Sequence, residues 1–235
     1  MMKTSPIQLD IAPDLVEQVY KAMLDAICDG SLAPGQRITQ EDIAIRLAVS
    51  RQPVHQALRQ LKIDGFVLDA AGLSPAARGR GVIISHIDPQ AMAQTYAVRG
   101  SLDAMSARLA AKHRARIDPA LIAQGRRAAK GKYVKAMIEA DMAFHEAVYQ
   151  ASGNPLMSQS ARAHWRHIRR LMGAVLQHVP QRETSWDDHQ AIADAIAAGD
   201  GELAARLMTQ HCEEASQKLS LYLPQPSQGL LKHRA

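Results

Sequence analysis

Residues 49–65 read Val49-Ser50-Arg51-Gln52-Pro53-Val54-His55-Gln56-Ala57-Leu58-Arg59-Gln60-Leu61-Lys62-Ile63-Asp64-Gly65. Ser50 is a good helix N-cap, and Gly65 closes the segment. Pro53 falls in the first turn, where an N–H has no intrahelical partner to lose. Val54, Ala57, Leu58 and Leu61 make one apolar stripe, while Arg51, His55, Arg59 and Lys62 share the opposite face. The spacing predicts a helix over 50–64 with one side buried and the other basic.

Upstream, Pro13 to Cys28 carries Leu15, Val16, Val19, Met23 and Ile27 at helical spacing. Gly30 ends that helix and Pro34-Gly35 marks a turn. Thr39, with Asp42 three residues on, opens a short helix in a capping-box-like pattern, with Ile43, Ala44 and Leu47 facing inward. Downstream, Phe66-Val67-Leu68 and Val82-Ile83-Ile84 read as two short strands. The loop between them ends in Arg78-Gly79-Arg80-Gly81. Helix, helix, turn, helix, strand, basic loop, strand is the order of a winged helix-turn-helix. Its second short helix suits a major groove, where Arg51 and Gln52 near the N-terminus can read base edges. Ser50 and the free N–H groups of the first turn can hold a phosphate. Arg78, Gly79 and Arg80 form a wing tip for the minor groove or backbone. The DNA-binding set is Arg46, Ser50, Arg51, Gln52, His55, Arg59, Arg78, Gly79 and Arg80. A basic stripe alone could equally be a solvated face; the complete element order turns the reading towards duplex DNA.

Net charge does not carry that argument. The chain is formally +5, yet up to His86 nine Lys and Arg meet nine Asp and Glu, and the excess lies beyond. With 47% hydrophobic and 22% charged residues in 235, the composition is globular and leaves room for two domains. No apolar run reaches membrane-span length and Met1 to Asp10 lacks a signal-peptide core, so a cytoplasmic location is expected. Cys28 and Cys212 are far apart and read as two separate thiols.

From Asp88 the periodicity is helical throughout, over about 88–114, 118–131, 133–152, 155–178, 182–198 and 201–222. Breaks fall at Asp118-Pro119, Gly153-Asn154-Pro155, Pro180 and Gly199-Asp200. The expected fold class is mainly α. Residues 1–87 form a winged helix-turn-helix of three helices and a two-stranded wing. Residues 88–224 form a bundle of about six helices, and 225–235 a flexible tail.

Four polar residues lie on apolar faces of that bundle. Asp141 and His145 are four apart beside Ile138, Met142 and Val148; His189 shares a stripe with Ile192, Ala193 and Ile196; His211 lies with Leu207 and Ala215. Buried unpaired, each would cost roughly a few kcal/mol, so they satisfy one another or bind something. Three imidazoles and a carboxylate suit a divalent transition metal, zinc foremost, with nickel and manganese admissible. A hydrogen-bonded core network without metal is the alternative. Arg99, one turn before Asp103, is either a guanidinium fork for a carboxylate or half of an intrahelical ion pair. Arg162, Arg166, Arg169 and Arg170 read as a solvated face or a dimer surface. A metal-dependent enzyme, a hydrolase or lyase, is the rival class, but His145-Glu146-Ala147-Val148-Tyr149 lacks the second histidine of HExxH. A purely structural metal is the other rival.

Asp29-Gly30-Ser31-Leu32-Ala33-Pro34-Gly35-Gln36-Arg37-Ile38, then Glu41-Asp42-Ile43-Ala44 and the run from Val49 to Leu61, closely resemble the DNA-binding domain of the GntR family. Residues 88–222 resemble the FCD-type effector domain of its FadR branch. The residues that match are Asp141-Met142-Ala143-Phe144-His145, Ala151-Ser152-Gly153-Asn154, His189 and His211. The resemblance implies a homodimeric regulator on palindromic operator DNA, usually a repressor, with metal on Asp141, His145, His189 and His211. It also implies a small carboxylate or sugar-acid effector completing the coordination, and Arg99 gripping that effector. His55 stands where the family usually has arginine, and the loop between the wing strands is longer than usual.

Overall fold

The computed structural model describes residues 14–70, 81–176, 178–179 and 183–223. The chain divides between His86 and Ile87 into two compact units. The first contains α1 (Leu15–Cys28), β1 (Arg37–Ile38), α2 (Gln40–Leu47), α3 (Arg51–Ile63), β2 (Val67–Asp69) and β3 (Val82–Ile84). Asp14 caps α1 through the Val16 N–H. Thr39 and Asp42 form the expected capping box at α2, the Asp42 N–H donating to Thr39 Oγ1 at 3.1 Å and the Thr39 N–H to the Asp42 carboxylate at 3.2 Å.

Val54, Ala57, Leu58 and Leu61 of α3 are buried with Val19, Met23 and Ile27 of α1, Ile43 of α2, and Phe66, Val67 and Ile84. A hydrogen bond of 2.6 Å from Tyr20 Oη to Asp64 fastens α1 to the end of α3. Leu15 and Leu47, expected inward, are 44% and 36% exposed. They are the first residue of α1 and the last of α2, where the neighbouring elements no longer cover them. Where two wing strands were expected there is a sheet of three, in the order β1-β3-β2, all antiparallel, pairing Arg37 with Ile83 and Val67 with Ile84. A two-residue strand is too short to show an alternating pattern, which is why β1 leaves no sequence signal.

The second unit is helical: α4 (Pro89–Lys112), α5 (Pro119–Lys130), α6 (Val134–Ala151), α7 (Pro155–Val175), α8 (Ser185–Ala198) and α9 (Gly201–Ser220). Local chemistry explains most of the starts. Asp88, Asp118, Asn154 and Asp200 each accept a first-turn N–H, and proline opens α4, α5 and α7. α7 stops short of the expected residue 178 and α8 begins later than 182. Leu176 and Val179 carry the apolar pattern into the turn and stay buried in the core, so periodicity overshoots the helix end. Arg170, expected on a solvated face, is buried.

Small side chains bring the helices together where the polar cluster lies. α4 packs against α9, α7, α6 and α8. At Gly100 an added Cβ would stand 3.3 Å from Cys212 Cβ, so glycine allows α9 its close approach to α4. At Gly125 an added Cβ would fall 2.0 Å from the Trp186 ring. Any side chain there would displace Trp186, which packs on His189 with ring centroids 4.5 Å apart.

Candidate metal centre and nucleic-acid interface

α6 supplies Asp141 and His145, α8 supplies His189, and α9 supplies His211. Packing brings one ligand atom from each of the four to within 4.8 Å of the others. The imidazole centroids stand 4.4 Å apart for His189 and His211, 5.4 Å for His145 and His189, and 5.6 Å for His145 and His211. His145 and His189 are 0% exposed and His211 6%. Both ring nitrogens of His145 and of His189 are buried without a hydrogen-bond partner, His145 Nδ1 meeting Asp103 only as an ion-pair contact at 3.2 Å. A closed hydrogen-bonded network would not leave these atoms unsatisfied, whereas a cation accepting one lone pair from each ring would satisfy one nitrogen of each. The residues present therefore fit a divalent ion, and could hold one.

The electrostatics keep the imidazoles ready for such an ion. Burial pushes the His189 pKa well below the ordinary histidine value, and the neighbouring His211 and His145 push it further. Burial and the Arg99 guanidinium lower that of His145 against the opposing pull of Asp103. Both rings are neutral near pH 7, the form that donates a lone pair to a metal. Phe144, 4.2 Å from the His189 ring, and Trp165, 5.3 Å from the His145 ring, wedge the ligands from behind.

Arg99 and Asp103 form the ion pair that their spacing allowed, but it is buried rather than exposed. Arg99 Nε lies 2.9 Å from Asp103 Oδ2, with Arg99 2% exposed and Asp103 fully buried. Burial alone would raise the Asp103 pKa, but Arg99 and His145 overcome it and hold the carboxyl well below its usual range. Its Oδ1 accepts the Tyr149 hydroxyl, whose oxygen in turn accepts the Trp165 Nε1–H at 3.2 Å. Its Oδ2 accepts the Cys212 thiol at 3.4 Å and lies 3.2 Å from His145 Nδ1. Burial raises the Cys212 pKa well above normal, so that group is a neutral thiol donor. The Arg99 guanidinium sits 3.9 Å over the Trp165 ring, and its Nη2 is buried without a hydrogen-bond partner. Sequence reasoning missed Tyr149 and Asp188 as neighbours of the cluster. Each had a signal: Tyr149 lies one turn after His145, and Asp188 immediately precedes His189.

In the first unit Arg46, Ser50, Arg51, Gln52, His55 and Arg59 are all exposed. Ser50 occupies the N-cap of α3, but its side chain makes no capping hydrogen bond, so the hydroxyl is open to another acceptor or donor. Arg51 pairs with Glu41 of α2 at 2.6 Å, both groups exposed. Such a pair is worth little in water and costs little to break. Lys62, on the same face, pairs with Asp69 of β2. The turn before α3 passes through Ala48 in the left-handed region, φ 52°. Arg78, Gly79 and Arg80 lie outside the described residues.

Two family models match this chain: "Bacterial regulatory proteins, gntR family" over residues 15–72 and "FCD domain" over residues 94–214. The chain belongs to the GntR family and carries an FCD domain. Its relatives include the uncharacterized HTH-type transcriptional regulator YdfH of Escherichia coli O6:H1, 25% identical over 220 residues, covering 92% of this chain and 93% of the relative. A probable D-xylose utilization operon transcriptional repressor of Paenarthrobacter nicotinovorans is also 25% identical, over 214 residues, covering 89% and 88%. Among solved structures, E. coli McbR/YncC shares the fold with a TM-score of 0.72 at 17% identity, covering 88% of this chain and 97% of its own. GntR proteins with an FCD domain are transcriptional regulators and not enzymes, so this chain is a DNA-binding transcriptional regulator. Among the described residues, no helix is long and apolar enough to cross a membrane.

Proposed function

We propose that this GntR regulator is a homodimer that represses a catabolic operon and senses a small carboxylate at a divalent metal on Asp141, His145, His189 and His211. The observation carrying the sensor half is the convergence of those four donor atoms within 4.8 Å, drawn from three helices. Zinc suits three imidazoles and a carboxylate best, with nickel and manganese as the other admissible ions. When bound, the ion supplies a Lewis-acid position for one oxygen of the effector. The surroundings favour an anionic effector: the ion is itself cationic, and the Arg99 guanidinium, paired with Asp103, acts on the His145 ligand. The unpartnered Nη2 of Arg99 is the donor offered to that carboxylate.

On the DNA side, Arg51 and Gln52 read base edges in the major groove from the first turn of α3. Ser50 and the first-turn N–H groups hold a phosphate, and Arg46, His55 and Arg59 hold the flanking backbone. Arg78, Gly79 and Arg80 add contacts to the minor groove or backbone. An acid alters operator affinity only through its different affinity for the DNA-competent and DNA-incompetent states. A palindromic operator requires two such units, which is the reason for the homodimer. Full burial of His145 and His189 also suits a purely structural ion, and the functional test separates the two.

That test is a thermal-shift screen of small organic acids on zinc-loaded protein, followed by titration of an operator selected from a random duplex pool. An acid that raises the melting temperature is expected to weaken operator binding. A screen in which no acid changes either quantity leaves the metal structural. On the same operator, Arg51→Ala is expected to lose about 1–3 kcal/mol of binding, roughly five- to 150-fold, with zinc content unchanged. Retained affinity would remove α3 as the reading helix.

A further inference from the structure

Two of the three imidazoles have a carboxylate behind the ring, and neither carboxylate belongs to the ligand set. His145 Nδ1 lies 3.2 Å from Asp103 Oδ2, and His211 Nδ1 contacts Asp188 Oδ2 at 3.5 Å. A neutral imidazole carries one proton, and a carboxylate beside Nδ1 repels a lone pair there and attracts an N–H. Such a contact favours the Nδ1–H tautomer of a neutral ring, which leaves the lone pair on Nε2. In His145 neither nitrogen makes a well-formed hydrogen bond: Nδ1 faces Asp103 as a 3.2 Å ion-pair contact, and Nε2 has no partner. His189 turns the same nitrogen, Nε2, towards Asp141 Oδ1 at 3.6 Å.

We propose that Asp103 and Asp188 are positioning residues for the metal centre, fixing the tautomers of His145 and His211 and thereby setting metal affinity. This rests on the reading of Asp141, His145, His189 and His211 as ligands. The two carboxylates act from different environments. Asp103 is fully buried on α4, is braced by Arg99, Tyr149 and Cys212, and has no freedom to turn away. Asp188 is on α8 next to the ligand His189, and its side chain is 44% exposed. Water competes for Asp188 and not for Asp103, so Asp103 has the larger effect. α8 thus supplies one ligand and the orienting group of another, while α4 supplies no ligand and still reaches the centre through Asp103.

The test measures zinc affinity by competition with a chromophoric chelator and reads tautomers from long-range imidazole 1H–15N spectra. The proteins are the full-length wild type, Asp103→Asn and Asp188→Ala. The expected result is one zinc per chain in the wild type, with Nδ1–H on both rings. Zinc is expected to bind about tenfold more weakly in Asp188→Ala and up to about a hundredfold more weakly in Asp103→Asn. The His211 spectrum should show mixed tautomers in Asp188→Ala without metal, while its metal-free melting temperature stays that of the wild type. A lowered melting point alone, with the wild-type tautomer and affinity kept, would be a structural effect and would overturn the proposal. If Asp103→Asn fails to fold, Asp188→Ala alone decides. Wild-type protein that takes zinc, beside variants that bind it equally well, overturns the positioning role and leaves the site standing. Wild-type protein that takes no zinc overturns the ligand reading itself.

Discussion

The double variant His189→Ala with His211→Ala is expected to come through dialysis without zinc, whereas the wild type retains one ion per chain. Zinc sites built from four protein ligands bind with roughly 10–16 kcal/mol at neutral pH. Removing two of the four donors therefore costs about 5 kcal/mol or more, some four powers of ten in affinity. The two residues come from α8 and α9, so the loss tests whether those helices truly meet α6 at one centre. Elemental analysis reads the result, with circular dichroism to show that the bundle still folds. The double variant also removes both ring nitrogens of His189 that lack a partner, so its metal-free form need not be less stable than the wild type. Undiminished zinc would move the site away from these residues.

Arg99→Met should lower the melting temperature of the metal-free protein by on the order of 10 °C. The substitution keeps an unbranched side chain over Trp165 but leaves Asp103 charged in a site with no access to water. Breaking one side of a buried ion pair costs about 3–5 kcal/mol, because the remaining charge has lost its compensation. In a unit of this size each kcal/mol moves the midpoint by a few degrees. Tyr149, Cys212 and His145 still face the carboxylate, which places the loss nearer the lower figure. The companion variant Arg99→Met with Asp103→Leu separates lost charge balance from lost packing. Removing both charges should recover a large part of the stability, since apolar replacements of a buried pair are often tolerated. If the single variant melts with the wild type, the pair contributes nothing to the bundle. If the double variant melts no higher than the single one, the loss comes from packing over Trp165 instead.

Much of this was legible in the residues, and the parts that were not share a cause. The Asp-Pro and Asn-Pro steps at 88, 118 and 154 mark helix starts because capping and proline's fixed φ act within one turn. The Thr39–Asp42 box and the stripe from Val54 to Leu61 are local for the same reason. β1 leaves no sequence signal because two residues contain no period, and the periodicity overshoots α7 because buried residues continue past its end. Arg170 sits in a basic run that reads as solvated, and nothing local shows that it is buried. Arg99 and Asp103 were seen as a pair, but no spacing rule could show that Tyr149, Trp165, His145 and Cys212 gather around them.

By itself the sequence determined the order of the helices, the inward stripe of most of them, and the place of Asp141, His145, His189 and His211 on such stripes. Period and capping arise from interactions within a few residues of the chain, so they can be read along it. Only the tertiary structure decided that Asp141, His145, His189 and His211 meet, that Arg99 and Asp103 are sealed from water, and that Asp103 and Asp188 stand behind the ligands. Those outcomes depend on how closely helices far apart in sequence approach, and that is set by packing at places such as Gly100 and Gly125, where a missing side chain lets two helices close.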